Sequence, residues 1–258
     1  MSDIASKRIL VTNDDGINAD GIGVLEAIAR TLSDDVWVIA PEQEQSGAGH
    51  SLTMHEPLRM RKIDDRRYAV LGTPTDCVLM AILQIIPDKR PDLILSGINR
   101  GLNVAEDVTY SGTIAAAMEG TLLDIPSIAF STRLIDPTMV EWNVPRIFSP
   151  DLIRKLVQTG WPKGVLINVN FPGLPEPLVK GIKVCPQGRR KIGEKLEKRI
   201  DPRGRPYFWI GGPSDEPYDD HPAADYMQLN LGFITVTPLS LDLTDYRALD
   251  TLRATCEP

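Results

Sequence analysis

The chain has 258 residues, and its 28 Lys and Arg against 35 Asp and Glu give a formal net charge of −7. Hydrophobic residues make up 42% of it and charged residues 24%, which is typical of one large globular domain, or of one domain with an appended lobe, and excludes a globally disordered chain. The acidic balance argues against DNA as a partner, because most of the surface repels a phosphate backbone. A small anionic substrate is compatible with this charge, since a bound cation reverses the local sign.

Short apolar runs alternate with helical spacing through the first two thirds of the chain. Strands are predicted at residues 9–12, 36–40, 93–95, 126–131 and 165–169, and helices at residues 22–32, 75–86, 111–123 and 150–159. Residues 58–61 and 68–70 have the pattern of a small hairpin. This alternation predicts an α/β fold with a mainly parallel sheet and helices on both of its faces.

The composition changes after about residue 180, where Pro, Gly and charged residues become frequent. We therefore predict a core at residues 1–180 and, at residues 181–258, a β-rich appendage with an extended arm, whose last strand, in GFITVTP, returns to the core. A solvated surface excursion is the alternative interpretation of this segment. The run from Arg189 to Arg199 mixes both charge signs, which favours a solvated face over a nucleic-acid patch.

Cysteine spacing and hydropathy limit the location of the protein. The cysteines, Cys77, Cys185 and Cys256, form no C-x-x-C pair, which excludes a zinc ribbon or a thioredoxin-type motif. The first residues contain no apolar signal segment, and no run approaches the roughly 20 apolar residues of a membrane span. The sequence therefore predicts a cytoplasmic protein with reduced thiols and no membrane partner.

The first candidate site follows the first predicted strand, in the sequence TNDDG. Ligands of an open parallel sheet bind outside the carboxyl ends of its strands, and Asp14 and Asp15 lie at such an end. Adjacent carboxylates there repel each other and are partly desolvated, a cost that a hard divalent cation offsets. A turn with solvated aspartates is the alternative. The pattern D-x-D-G-T is not matched, so an aspartyl-phosphate mechanism has little support.

Two further loops follow other predicted strands. In PEQEQSGAGHS, Ser46 precedes two glycines and has a hydroxyl that can complete a metal shell, although a flexible surface loop is the alternative. In SGINRGLNVAEDVTYSGT, Asn99 offers an amide oxygen, and Ser111, Gly112 and Thr113 begin a helix whose free N–H groups suit a phosphate. An ordinary N-cap at Ser111 is compatible with that role. The nucleotide-binding motifs G-x-x-x-x-G-K-[ST] and G-x-G-x-x-G are absent.

The three loops fall at the same edge of the predicted sheet. Together they offer two carboxylates, a hydroxyl, an amide oxygen and a helix N-terminus, a set that suits a hard metal and a phosphate. The histidines are His50, His55 and His221, which is too few for a His-rich zinc site. His50 has two interpretations. It is a functional group, acting as an acid or base or supporting the metal ligands from behind, or it is a surface histidine.

Long, ordered motifs of this chain resemble the SurE family, the stationary-phase survival protein. The segments that carry the resemblance are ILVTNDDGINADGI, VIAPEQEQSGAGHSLT, GTPTDCV, LILSGINRGLNVAEDVTYSGTIAAAMEG, IPSIAFS and ADYMQLNLGFITVTPLSLDLTDY. The resemblance implies a 5′/3′-nucleotidase with some activity on short polyphosphate. It also implies a Rossmann-like three-layer core and a C-terminal arm exchanged between the subunits of a homodimer or homotetramer.

The resemblance assigns roles to individual residues. The family's metal ligands match Asp14, Asp15, Ser46 and Asn99, which implies one Mg²⁺ or Mn²⁺ per subunit. Its phosphate contacts match Asn13, Asn103, Ser111, Gly112 and Thr113. The sequence departs from the family at Asp20, where Pro is common, at Gln45, where Arg is common, and over residues 188–222.

The function predicted from the sequence is metal-assisted hydrolysis of nucleoside monophosphates. Asp14 and Asp15 are the catalytic candidates, and either of them can accept the proton of the attacking water. The alternative is a non-catalytic sensor that binds nucleotides in the same pocket. A dinucleotide-dependent oxidoreductase fits the fold class but lacks the glycine motif.

Overall fold

A nine-stranded sheet runs through the part of the molecule that the computed structural model describes, namely residues 4–136, 139–190, 196–211 and 221–257. The strands in chain order are β1 (Ile9–Thr12), β2 (Val36–Pro41), β3 (Arg59–Asp64), β4 (Arg67–Leu71), β5 (Leu93–Arg100), β6 (Ser127–Thr132), β7 (Leu134–Asp136), β8 (Met139–Val140), β9 (Val165–Phe171), β10 (Ile182–Val184), β11 (Leu196–Ile200), β12 (Pro206–Ile210) and β13 (Ile234–Ser240). The α-helices are α1 (Asp20–Arg30), α2 (Pro74–Met80), α3 (Gly112–Leu122), α4 (Asn143–Thr159), α5 (Asp225–Asn230) and α6 (Tyr246–Cys256).

The sheet has the strand order β10-β13-β9-β6-β5-β1-β2-β4-β3. Six neighbouring strands of this sheet are all parallel, and across the sheet they are β4, β2, β1, β5, β6 and β9. Numbered along the chain, those six strands have the order 3-2-1-4-5-6, which is that of a Rossmann sheet. The predicted α/β class with a mainly parallel sheet is confirmed. The strand order reverses between β1 and β5, and this switch point is where such sheets bind ligands.

The buried strands explain why the sheet is covered on both faces. In β1, Ile9 and Val11 belong to the apolar cluster on one face and Leu10 to the cluster on the other, and all three are fully buried. Helices α1 and α4 contact each other on the first face, and α2 and α3 contact each other on the second. A continuous apolar run is therefore the pattern expected of these strands, since neither face is exposed to water.

Helix boundaries show where local signals mislead. Thr73 caps α2, with its hydroxyl accepting from the Asp76 N–H at 3.1 Å. The helix predicted at residues 75–86 is a regular α-helix only as far as Met80 and continues as a π-helical turn over Ala81–Ile85. The helix predicted at residues 150–159 begins earlier, at Asn143, so Pro150 lies inside α4. Val144, in the first turn, is 1% exposed, and burial of this turn outweighs the helix-breaking tendency of Pro150.

The C-terminal segments extend the sheet and leave a separate hairpin. Strand β13 pairs antiparallel with β9, and β10 pairs parallel with β13. Strands β11 and β12 pair only with each other among the described strands, and all of their residues are exposed. Part of residues 188–222, where the family resemblance is poor, lies outside the described residues. Within the described chain, no helix combines the length and the apolar character that crossing a membrane requires.

Candidate functional site

The candidate ligands predicted from the sequence lie at the carboxyl ends of three neighbouring strands, β1, β2 and β5. Asp14 and Asp15 are in the loop after β1, Ser46 is in the loop after β2, and Asn99 is the penultimate residue of β5. Backbone hydrogen bonds join the loops after β1 and β2, because Gln45 N–H donates to Asp14 O at 2.8 Å. The structure therefore brings these loops to the carboxyl edge of the sheet, at the place where the strand order reverses.

Asp14 is the buried carboxylate of the site, with 3% of its surface exposed. The Thr113 hydroxyl donates to Asp14 Oδ1. Gly112 lies so close that a Cβ on it would be 2.7 Å from Asp14 Cβ. Burial raises the pKa of Asp14 to about 6. The hydrogen bond from Thr113 lowers this pKa, and the charge of Asp15 raises it further. Removal from water is thus the main cost of keeping this group ionised.

Asp15 is partly buried, and its pKa is raised as well, mainly by burial. The Arg100 N–H donates to Asp15 Oδ2 at 3.2 Å and opposes the shift, whereas the charge of Glu44 adds to it. Two adjacent carboxylates are therefore held where both resist ionisation. A divalent cation between them would remove this cost, because it interacts favourably with both charges.

The side chains around the two aspartates fit a hard cation. The Ser46 hydroxyl donates to Glu44 Oε1 at 2.8 Å, and the Asn99 amide donates to Gly101 O at 3.0 Å, so both residues use donors and keep oxygen lone pairs for a ligand. Asn13 Oδ1 is buried and has no hydrogen-bond partner, as expected of an acceptor that pairs with a bound water or ion. These oxygens suit Mg²⁺ or Mn²⁺. Within the described residues, no three His, Cys, Asp or Glu side chains form a metal-binding group.

The sequence predicts an anion site at the N-terminus of α3. Ser111 is its N-cap, with Oγ accepting from the Ile114 N–H at 3.1 Å, which leaves its hydroxyl proton as a donor. Gly112 and Thr113 lie against Asp14 at the same helix end. The positive end of the helix dipole stabilises negative charge there, so Asp14 and an incoming phosphate would both face it.

Asn103 is held in place by a buried polar network. Its backbone N–H donates to Asn170 Oδ1 at 2.9 Å, and its carbonyl accepts from Asn170 Nδ2 at 2.9 Å and from Asn168 Nδ2 at 2.8 Å. One N–H of its own amide donates to Ser131 Oγ at 2.8 Å. The second amide N–H is then the group with which Asn103 would bind a phosphate.

We expect replacement of Asn170 by Ala to lower the free energy of unfolding by about 1–3 kcal/mol, because the buried Asn103 N–H loses its acceptor. Activity should fall as well, since the loop of Asn103 loses its anchor. Asn168→Ala is the matched control, because the Asn103 carbonyl would keep its bond from Asn170. Urea denaturation of the two variants measures both free energies of unfolding, and we expect Asn170→Ala to lower this free energy more than Asn168→Ala does. A larger effect of Asn168→Ala would contradict the prediction.

The structure adds residues that the sequence interpretation missed. A cleft of about 540 Å³ adjoins the site, and Asp15 and Ser46 lie on its wall. Glu44, Arg100 and Trp142 also line it. Glu44 is two residues before Ser46, so its charge next to a predicted metal ligand could have indicated from the sequence that it belongs to the site. Trp142 had no such signal, because it reaches the cleft from a distant segment.

His50 contacts the side chain of Glu119 in α3. Its Nε2 lies 2.9 Å from Glu119 Oε2, on the third turn of α3. The Gly49 N–H beside it donates to Tyr110 O at 3.1 Å. These bonds attach the loop after β2 to α3 and to Tyr110, which precedes it, and the acid/base role of His50 stays a prediction.

Comparisons with known proteins agree on one family. The family model described as Survival protein SurE matches residues 9–194. A protein named 5′-nucleotidase SurE from Paramagnetospirillum magneticum is 56% identical over 254 residues, which are 97% of this chain and 97% of that protein. Another of that name, from Brucella anthropi, is 53% identical and covers 96% of each chain. The crystal structure of the SurE protein from Aquifex aeolicus has a TM-score of 0.84 and 42% identity, covering 96% of this chain and 99% of the other.

Proposed function

This chain belongs to the SurE family, and we propose on that premise that it is a 5′-nucleotidase, which hydrolyses nucleoside 5′-monophosphates to nucleoside and phosphate. The observation that carries the proposal is the pair of adjacent carboxylates at the switch point of the sheet, where Asp14 is buried beside the N-terminus of α3 and Asp15 is partly buried. The carboxylates suit a divalent metal, and the helix N-terminus suits the phosphate.

Asp14, Asp15, Ser46 and Asn99 would hold one Mg²⁺ or Mn²⁺. When bound, the metal polarises a phosphoryl oxygen and lowers the pKa of a water molecule. The side chains of the protein supply the rest of the chemistry. Asp14 or Asp15 would accept the proton of the attacking water, whose oxygen forms the new bond to phosphorus while the bond from phosphorus to the nucleoside oxygen breaks. The same carboxyl group would then return the proton to the leaving oxygen, which departs as the nucleoside hydroxyl.

The phosphate contacts stabilise charge rather than recognise a base. The N–H groups at the start of α3, the Ser111 hydroxyl and the remaining amide N–H groups of Asn13 and Asn103 would face the phosphoryl oxygens, where negative charge accumulates in the transition state. Since these contacts address phosphate alone, we also propose hydrolysis of 3′-monophosphates and of short polyphosphate.

The proposal includes assembly and location. The β11–β12 hairpin exposes apolar side chains without a covering element among the described residues, with Phe208 at 57% and Trp209 at 65% exposure. We propose that this hairpin joins subunits of a homodimer or homotetramer, because isolated two-stranded hairpins are marginally stable in water. The described cysteines are free thiols, which supports the cytoplasm as the location.

Removal of divalent metal tests the proposed reaction. We expect the purified protein to release phosphate from AMP with added Mn²⁺ or Mg²⁺, to lose this activity in EDTA, and to regain it when Mn²⁺ is restored. The physical reason is that Asp14 and Asp15 cannot position a water or neutralise a phosphate without a cation between them. Phosphate release from AMP is the measurement.

The same experiment separates the enzyme from a nucleotide sensor. A sensor would bind AMP in equilibrium dialysis and release no phosphate with any divalent metal. Activity that persists unchanged after exhaustive chelation would contradict the metal-dependent mechanism.

A further inference from the structure

We propose that Trp142 is the stacking surface for the nucleobase, in a nucleoside subsite formed by the cleft beside the carboxylates. The inference rests on the proposed function, because it assigns the part of the substrate that leaves after hydrolysis. It adds a specificity-determining residue from a segment, between β8 and α4, that contributes nothing to the metal or phosphate contacts.

The cleft is continuous with the reaction site. Asp15 and Ser46 belong both to the candidate metal ligands and to the wall of the cleft. Its volume of about 540 Å³ lies within the range of about 300–1,000 Å³ that is usual for small-molecule sites. A substrate whose phosphate lies at the N-terminus of α3 would therefore extend its remaining part into this space.

Charge on the cleft wall decides which end of a nucleotide enters it. Apart from the candidate metal ligand Asp15, the carboxylates of Asp20 and Glu44 line the cleft, and Arg100 is the one cation among its described lining residues. A phosphate is repelled by this surplus of negative charge, whereas a nucleoside is neutral and its ribose hydroxyls donate to carboxylates. The phosphate thus belongs at the helix end and the nucleoside in the cleft.

Trp142 provides an apolar surface in this acidic surrounding. It is partly buried and packs against the main apolar cluster, which fixes its position. Gly21 of α1 allows the close approach, since a Cβ there would be 3.3 Å from Trp142 Cη2 and 2.0 Å from Ile98 O. Leu134 and Val140 lie on the same lining. An indole ring held in this way stacks on any base, because every base has a π-face.

The test compares a substrate that has a base with one that lacks it. In Trp142→Ala, we expect the ratio of kcat/KM for AMP to kcat/KM for ribose 5-phosphate to fall about tenfold, the effect of losing one base–aromatic stack. Trp142→Phe keeps a ring and should keep most of this ratio. A second measurement needs no metal and no turnover: adenosine in EDTA should quench tryptophan fluorescence of the wild-type protein and not that of Trp142→Phe.

Trp161 offers a matched control, because it also packs partly buried against the main apolar cluster but precedes β9, at the opposite edge of the sheet. Trp161→Phe should retain both the quenching and the substrate ratio. Equal substrate ratios in Trp142→Ala and wild type, or unaltered quenching in Trp142→Phe, would overturn the assignment. If the wild type hydrolyses neither ester, the proposed function fails, and adenosine quenching still decides the role of Trp142.

Discussion

Replacing Asp14 by Asn is expected to lower turnover of AMP by about a thousandfold, which corresponds to about 4 kcal/mol of transition-state stabilisation. Asn has nearly the same shape and can still accept the hydrogen bond from Thr113 at its amide oxygen. It lacks the negative charge that a divalent cation needs next to Asp15. The measurement is kcat for AMP with saturating Mn²⁺, and near-normal turnover would refute Asp14 as a metal ligand.

The stability of the same variant provides the control for folding. Burial raises the pKa of Asp14 from 3.8 to about 6, so its charged form destabilises the metal-free folded protein at pH 7. Asn removes that charge, and the free energy of unfolding of the metal-free variant should not be below that of wild type. The advantage of the variant should shrink as the pH falls below about 6, where Asp14 of the folded wild type takes up its proton. Urea denaturation in EDTA at pH 7 and pH 4 checks both points.

Replacing Gly112 by Ala is expected to reduce kcat about a hundredfold without removing any functional group. The new Cβ would be 2.7 Å from Asp14 Cβ, 2.9 Å from Asp14 Oδ2 and 3.0 Å from Pro74 Cγ. Asp14 is 3% exposed and has little room to move without leaving its bond to Thr113. Misplacing a reacting group by a fraction of an ångström to 1 Å costs rate on this scale, and overpacking should also lower stability by about 1–3 kcal/mol.

Gly23→Ala is the matched control for this steric argument. Gly23 is inside α1, and a Cβ there would meet no atom within 4 Å. The substitution should leave activity unchanged and raise the free energy of unfolding by about 0.4–1 kcal/mol, because Ala has a better helix propensity and a less flexible unfolded chain. If Gly112→Ala behaved like Gly23→Ala, the close packing of α3 on Asp14 would have no functional role.

Much of the fold follows from local patterns. The continuous apolar run at Ile9–Thr12 predicts a strand buried on both faces, and the structure has β1 there with all four residues buried. The strand predicted at residues 36–40 is present as β2, Val36–Pro41, and is also buried throughout. Local patterns were less reliable where packing competes with propensity: Pro150 predicts a helix start, yet α4 begins seven residues before it, at Asn143. The short α5 and the exposed α6 have too little buried apolar periodicity to be predicted.

The candidate site also has a part that local sequence patterns predict and a part that they do not. Asp14, Asp15, Ser46 and Asn99 can be selected from the sequence, because each follows a predicted strand and carries an oxygen. The hydrogen bonds and burial of these residues cannot be predicted from the sequence in this way. The bond from Thr113 to Asp14 spans 99 residues, and that from Asn103 to Asn170 spans 67. No pattern within a window of a dozen residues contains such a pair.

The sequence by itself determined the class of fold, the buried strands, the family and the oxygen-bearing loops, since each of these depends on residues that are close together along the chain. The tertiary structure decided which charges are desolvated, which helix end faces Asp14, and that Trp142 shares a cleft with Asp15. The physical reason is that desolvation and packing depend on segments that meet only after the sheet has formed. Strand β1, for example, lies between β2, which follows it in the chain, and β5, which is distant in the chain.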